Sequence, residues 1–232
     1  MIHAHQFARQ PIVDRMRRTV AYEVLFRSDI DARDAGVVDG VGATTSVLAA
    51  LAAPRADRCD GLPRFVNLPR RMLVERAFLD LDPTRIAIEV LEDVAGDATV
   101  LSALADLRAG GFTIALDDFR PDPERVELLA YADIVKLDVQ DLGMGELEGA
   151  VDALLGLDVT LLAEKVESED EFETCLRLGF DMFQGFHIAR PEMVTISRTR
   201  LITAVFGKGS SPVKLAATGW AGRVEATEPL SL

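Results

Sequence analysis

From about residue 64 onward, short apolar runs alternate with longer segments of helical spacing. The runs at 64–67, 85–90, 112–119, 133–138, 158–163 and 181–185 are strand-length and suit a sheet covered on both faces. Between them, 69–77, 97–109, 123–131, 147–155 and a segment opened by Ser168 are expected as helices. Val100, Leu101, Leu104 and Leu107 share one helix face that Gly110 stops, and Pro69 suits a first turn. Ser168 with Glu171 three residues on forms a capping box, and Gly179 closes that helix. Nearer the start, 6–13 and 19–26 flank Asp14–Arg18 so closely that an antiparallel hairpin is expected. The polar stretch 29–42 reads as a loop, and 41–53 as a helix stopped by Pro54.

Strand–helix alternation on this scale predicts a parallel sheet. Seven or eight strands in one run favour a closed (β/α) barrel over an open doubly wound sheet, for which the Gly-rich loop after the first strand is missing. The barrel is expected over 1–195, and 196–232 as a helix and linker tail without a domain of its own. Gly207-Lys208-Gly209-Ser210-Ser211 lacks the spacing of a phosphate loop and follows no strand.

The formal net charge of −13 excludes a basic footprint for DNA, while bound cations would still permit an anionic ligand. No apolar run reaches membrane-spanning length and the first residues lack a signal-peptide core, so a cytoplasmic setting away from the membrane is expected. Cys59 and Cys175 have no metal-ligand spacing and read as free thiols.

Candidate chemistry gathers at the strand ends. The run FTIALDDF places Asp117 and Asp118 at the tip of an apolar strand, either as a solvated turn or as a divalent-cation site. Other strands deliver Glu23, Asn67, Glu89, Lys136, Glu164 and Gln184 near their C-terminal ends. In a closed barrel these tips converge, and several carboxylates in one mouth repel unless cations neutralise them. Magnesium and manganese prefer such oxygen ligands. Lys136 can pair structurally with the acids, or orient a water or steady a phosphate oxygen.

In this order, Gln10–Asp14, Tyr22-Glu23-Val24-Leu25-Phe26-Arg27, Phe65-Val66-Asn67-Leu68, Ile88–Glu92, Leu116-Asp117-Asp118-Phe119, Val135–Asp138, Leu162–Glu167 and Phe183-Gln184-Gly185-Phe186 resemble the EAL domain family of cyclic di-GMP phosphodiesterases. The name-giving triplet is Glu-Val-Leu here. The resemblance implies a TIM-like (β/α)8 barrel with an antiparallel first strand, and two-metal hydrolysis of cyclic di-GMP to linear pGpG with Mg2+ or Mn2+. It implies that Glu23, Asn67, Glu89 and Asp117 hold a first ion and Asp118 a second, sharing Asp117. Lys136 would contact the attacking water, and Glu164 a metal or water. Gln184 would belong to the same inner shell, and Arg27 would hold a substrate phosphate. Asp138, like Arg27 and Gln184, would bind substrate, Glu92 would anchor the loop after the Asp-Asp strand, and Glu167 would support the shell. A homodimer and a signalling-protein partner belong to the same implication.

Two departures stand out. Arg120-Pro121-Asp122-Pro123-Glu124-Arg125 replaces a glycine-rich loop, and Lys165 replaces the glycine after Glu164. Both resemble the branch in which an EAL domain precedes an HDOD domain, which mixes active enzymes with silent modules. The alternative to hydrolysis is therefore a module that binds cyclic di-GMP or a protein partner without turnover.

Overall fold

The computed structural model describes residues 5–26, 59, 61–77 and 81–196. The expected loop at 29–42, the helix at 41–53, Arg27 and the tail beyond 196 lie outside the described residues. The chain opens with the expected hairpin: β1 (His5–Asp14) pairs antiparallel with β2 (Thr19–Phe26), Gln10 opposite Glu23. Asp14 seals the turn, its carboxylate accepting the backbone N–H of Met16 and Arg18. Parallel pairing then runs from β2 through β3 (Arg64–Leu68), β4 (Ile86–Val90), β5 (Thr113–Leu116), β6 (Ile134–Asp138), β7 (Thr160–Glu164) and β8 (Met182–Phe183). Strand β8 meets β1 antiparallel, Val13 opposite Phe183, and closes an eight-stranded barrel.

The connecting helices are α1 (Arg70–Val74), α2 (Ala98–Ala109), α3 (Val139–Leu154) and α4 (Glu169–Leu178), with a 3-10 turn at Val126–Ala130. Helix α2 is capped by Asp97, which accepts from Thr99 and Val100, and buries Val100, Leu104 and Leu107 as the spacing predicts. Helix α4 carries the full Ser168–Glu171 capping box and ends at Gly179, whose φ of 97° is the left-handed cap that favours glycine.

Four expectations need correction. Pro69 is the N-cap of α1 and not inside it, and α1 is a single short turn. The helix expected at 147–155 begins at Val139, because Asp138 accepts the N–H of Gln140 and Asp141 and starts the chain turning early. Its two parts meet at Gly143, where φ is 67° and ψ 164°. Strand β8 is not the last strand: β9 (Glu192–Ile196) pairs antiparallel with the outer half of β1, so Ile196 is strand and not the start of a helix.

One residue per barrel strand builds an apolar floor: Ile12, Ala21, Phe65, Ala87, Ala115, Ile134, Leu162 and Met182 form one buried cluster. A strand repeats its facing every two residues. Two positions further toward the barrel mouth are Glu23, Asn67, Glu89, Asp117, Lys136, Glu164 and Gln184, and on the oppositely directed β1, Gln10. The polar mouth is the next layer above an apolar one. A larger cluster between strands and helices, including Leu68, Ile88, Leu104, Leu116, Leu137 and Phe180, supports the barrel from outside.

Gly185 marks the tightest approach beside this layer. A Cβ there would stand 2.1 Å from the Val166 carbonyl oxygen, and backbone cannot rotate away as a side chain can. Gly185→Ala is expected to destabilise the protein by at least about 3 kcal/mol in urea unfolding; an unchanged midpoint would show that the two segments separate freely.

Candidate active site

Lys136 organises the mouth. Its side chain is fully buried (residue 0% exposed), and its Nζ is ion-paired with Glu89 Oε1 at 2.5 Å, Asp117 Oδ1 at 2.6 Å and Glu164 Oε1 at 2.9 Å. These acids come from β4, the end of β5, and β7, so one ammonium on β6 ties together strands on both its sides. Burial drives the Glu89 carboxyl well above its usual range and lifts Glu164 to about 8, with Lys136 opposing both shifts. Burial works against the charge of Lys136 itself, but Glu164, Glu89, Glu23 and Asp117 more than compensate and hold its pKa well above the ordinary lysine value.

On the opposite wall Gln184 Nε2 donates to Glu23 Oε2 at 2.5 Å and to Gln10 Oε1 at 3.1 Å, and Gln10 donates to the Ala189 carbonyl at 3.0 Å. Glu23 is thereby fixed with its carboxylate at the cavity surface. The cavity, about 590 Å³, is lined by Gln10, Glu23, Asn67, Glu92, Asp117, Asp118, Glu164, Lys165, Glu167 and Gln184 with Leu25, Leu91, Gly185, Phe186 and Pro191. Lys136 and Glu89 are not among the lining residues and lie fully buried. Glu92 and Glu167 are exposed lining residues. Asp138 does not line the cavity; it caps α3 and is ion-paired with Lys165. Arg27 lies outside the described residues.

The two aspartates of the FTIALDDF run part company. Asp117 continues the sheet, its N–H donating to Val90, whereas Asp118 takes a φ of 39° and turns the chain aside. Burial and then the neighbouring Asp117 raise the Asp118 carboxyl above its usual value. The donor set suits a hard divalent cation, because it is all oxygen and leaves Glu89 Oε2, Asp118 Oδ1 and Glu164 Oε2 buried without hydrogen-bond donors. Among the described residues the acids are drawn onto Lys136, and no three of them stand at ligating distance around a common point.

Sequence reading missed Arg125. In a proline-rich loop it reads as a solvated charge, yet it is buried under the Asp117-Asp118 tip. Its guanidinium donates to the Asp117 carbonyl from both terminal nitrogens at 3.1 Å, to Asp118 at 3.2 Å and to Leu91 at 3.4 Å, and lies 5.6 Å from the Phe119 ring centroid. The rebuilt loop therefore has its own anchor: a cation bonded to carbonyls, with Asp122 accepting the N–H of Glu124 and Arg125. Arg120 fastens its outer side to Asp141 at 2.5 Å. Arg125→Ala strips these carbonyls of their donors and is expected to cost about 2–4 kcal/mol. Urea unfolding measures this, and a loss below about 0.5 kcal/mol would remove Arg125 from the supports of the tip.

The EAL domain family model matches residues 63–191, more than half of the chain. The cyclic di-GMP phosphodiesterase CdgJ of Vibrio cholerae is 34% identical over 196 residues, covering 81% of this chain and 44% of that protein. The uncharacterised protein YuxH of Bacillus subtilis is 30% identical over 195 residues, 81% of this chain and 47% of that one. The chain thus spans about half the length of these curated relatives. Among solved structures, the Bacillus subtilis YkuI protein, with an EAL domain, in complex with cyclic di-GMP and calcium, aligns with a TM-score of 0.67 at 22% identity, over 86% of this chain and 60% of that one. The Klebsiella pneumoniae BlrP1 complex with manganese and cyclic di-GMP aligns at 0.61 and 21% identity, over 85% and 61%. At such identities the likeness speaks to the fold, which is the same barrel. By the family match, and with its barrel and antiparallel first strand in agreement, the chain belongs to the EAL domain family.

Proposed function

We propose that this chain hydrolyses cyclic di-GMP to linear pGpG at the polar mouth of its barrel, with Mg2+ or Mn2+ as cofactor. The observation that carries the reading is the intact polar layer, Glu23, Asn67, Glu89, Asp117, Lys136, Glu164 and Gln184 with Asp118 beside it, set around or under a cavity of ligand size. CdgJ bears the name of such a phosphodiesterase, and YkuI and BlrP1 were solved with cyclic di-GMP.

Glu23, Asn67, Glu89 and Asp117 would hold one cation, and Asp118 extends the set toward a second. A divalent ion there supplies Lewis-acid polarisation of the phosphodiester and lowers the pKa of water. The protein's own groups do the rest. Gln184 holds the Glu23 carboxylate toward the cavity. Lys136 fixes three acids in one geometry and, as a buried donor, offsets negative charge gathering above it. Glu164, pushed up to about 8, can accept or deliver a proton near neutral pH. Arg27 retains the phosphate-holding role implied by the family, Glu92 and Glu167 support the rim, and Asp138 orders the wall through Lys165 and α3. A homodimer, a signalling-protein partner and a cytoplasmic setting belong to the same reading; no helix among the described residues is long and apolar enough to cross a membrane.

A second reading, binding without turnover, draws on the loop after Asp118, which is held by Arg125 and Arg120 where the family resemblance implies glycines. One assay separates the two. Incubated with cyclic di-GMP and Mn2+ or Mg2+, the protein should yield pGpG on chromatography, and Glu23→Ala should lower the rate by more than about 100-fold. Tight binding in Ca2+ with no product would establish the silent cyclic di-GMP module; neither product nor binding would leave only the module that binds a protein partner.

Cation binding should also carry a proton signature. Below about pH 8 the Glu164 carboxyl is largely protonated, and only its carboxylate can ligate or neutralise a cation. Glu89 is driven up as well, so binding at pH 6.5 is expected to release protons and the release to fall as pH rises, and affinity therefore rises with pH. Titration calorimetry in buffers of different ionisation enthalpy measures it, and heats that do not depend on the buffer would refute the coupling.

A further inference from the structure

Asp118 holds a φ of 39°, a left-handed backbone that a residue with a Cβ adopts only at a conformational cost. Before it, Asp117 donates its N–H to the Val90 carbonyl on β4; after it, Phe119 donates to the Lys136 carbonyl on β6 at 2.9 Å. Asp118 alone makes the turn between those two bonds, and such a turn needs something to hold it.

The two peptide units that flank the Asp118 Cα both bond to Arg125. The Asp117 carbonyl belongs to the unit before that Cα and accepts from Nη1 and Nη2 at 3.1 Å. The Asp118 carbonyl belongs to the unit after it and accepts from Nη1 at 3.2 Å. Peptide units are planar, so their mutual rotation is what the φ and ψ of Asp118 describe, and one guanidinium bonded to both fixes it. Nη2 also donates to Leu91 at 3.4 Å, tying the turn to the end of β4. Arg125 is only 4% exposed, which removes competition from water, and its planar fork sets donor angles that an ammonium cannot reproduce. The loop that delivers it is fastened in turn: the Glu124 carbonyl accepts the N–H of Gly96 at 2.7 Å, and Leu128 behind it is fully buried. Glu92, which the family resemblance implies as the anchor of this loop, is exposed next to Leu91.

Asp118 lines the cavity, and the direction of its Cα–Cβ bond follows from the backbone on either side. Resting on the cation-dependent reading above, we propose that Arg125 is the positioning residue for the Asp118 carboxylate, clamping the peptide units on both sides of Asp118 so that its side chain is aimed into the cavity before any ligand arrives. Arg125 itself touches neither cation nor substrate. In this chain the anchoring role implied for Glu92 has passed to residue 125.

Mn2+ titration of the full chain, read from the electron paramagnetic resonance signal of the free ion, tests this without reference to turnover. Arg125→Lys keeps the charge without the fork, and Arg125→Gln is neutral; circular dichroism establishes which variants are folded before titration, and either one suffices. Asp118→Asn and the Arg125 variant are each expected to weaken Mn2+ binding by about 10-fold or more. The double variant should bind no more weakly than Asp118→Asn alone, because Arg125 acts only through that carboxylate. A general structural role would not produce this coupling: the losses would multiply to about 100-fold, and that result would overturn the proposal. Full affinity in Arg125→Lys would also overturn it, as would a greater loss in Glu92→Gln than in the Arg125 variant. Unchanged affinity in Asp118→Asn, or no bound manganese in the unaltered chain, would instead overturn the cation reading on which the proposal rests, so the two failures are distinct.

Discussion

One fully buried ammonium, Lys136, beneath an acid-rich mouth sets the conditions for everything around it. Glu89 and Lys136 are both fully buried, and neither could remain charged there alone. Each acid on Lys136 comes from a different strand, so the pairing fixes the relative height of β4, β5, β6 and β7 as well as balancing charge. An uncompensated buried charge costs several kcal/mol, on the order of 3–5, when one partner of such a pair is removed. The lysine is thus a structural tie and a chemical group at once, and these roles do not separate: the contacts that hold the acids in register also bring their oxygens to one place.

The layering explains how a barrel accommodates such polarity. Small residues at Ala21, Ala87 and Ala115 leave room among Phe65, Ile134 and Leu162 for a filled apolar floor. One pleat higher, the interior opens into a cavity, and groups placed there can meet a ligand instead of hydrocarbon. Parallel strands from β2 to β8 send this layer to one rim, and β1, running the other way, contributes Gln10 from two positions before its floor residue Ile12.

Much of this was legible in the chain. The short apolar runs ending in Asn67, Glu89, Asp117, Lys136 and Glu164 announce strands with polar tips, because a residue type out of keeping with a buried run needs a place to go. The Ser168 capping box and the glycine at 179 fixed one helix closely. Other features were hidden for physical reasons. Strand β9 begins directly after Pro191, and only its pairing with β1 makes it a strand. Arg125 has the sequence context of a surface charge, and its burial follows from carbonyls contributed by 91, 117 and 118. Lys165 is visible as a replaced glycine, but its left-handed backbone and its anchor on Asp138 depend on β6 and β7 lying side by side. Gln10 looks like an ordinary outward-facing amide until the barrel closes on it.

That closure has its own meaning for the site. The Gln184 amide reaches Gln10 and Glu23 across sequence separations of 174 and 161 residues, at the seam where the last barrel strand meets the first. Local contacts such as the hairpin cost little loop entropy, whereas this junction draws together nearly the whole described chain. A fragment lacking β8 could keep the Lys136 cluster but would have neither the amide that orients Glu23 nor a finished wall. The binding cavity therefore exists only in the fully wound topology: competence to bind is itself a readout of completed folding, and any occupant of the mouth would act as a clasp across the seam.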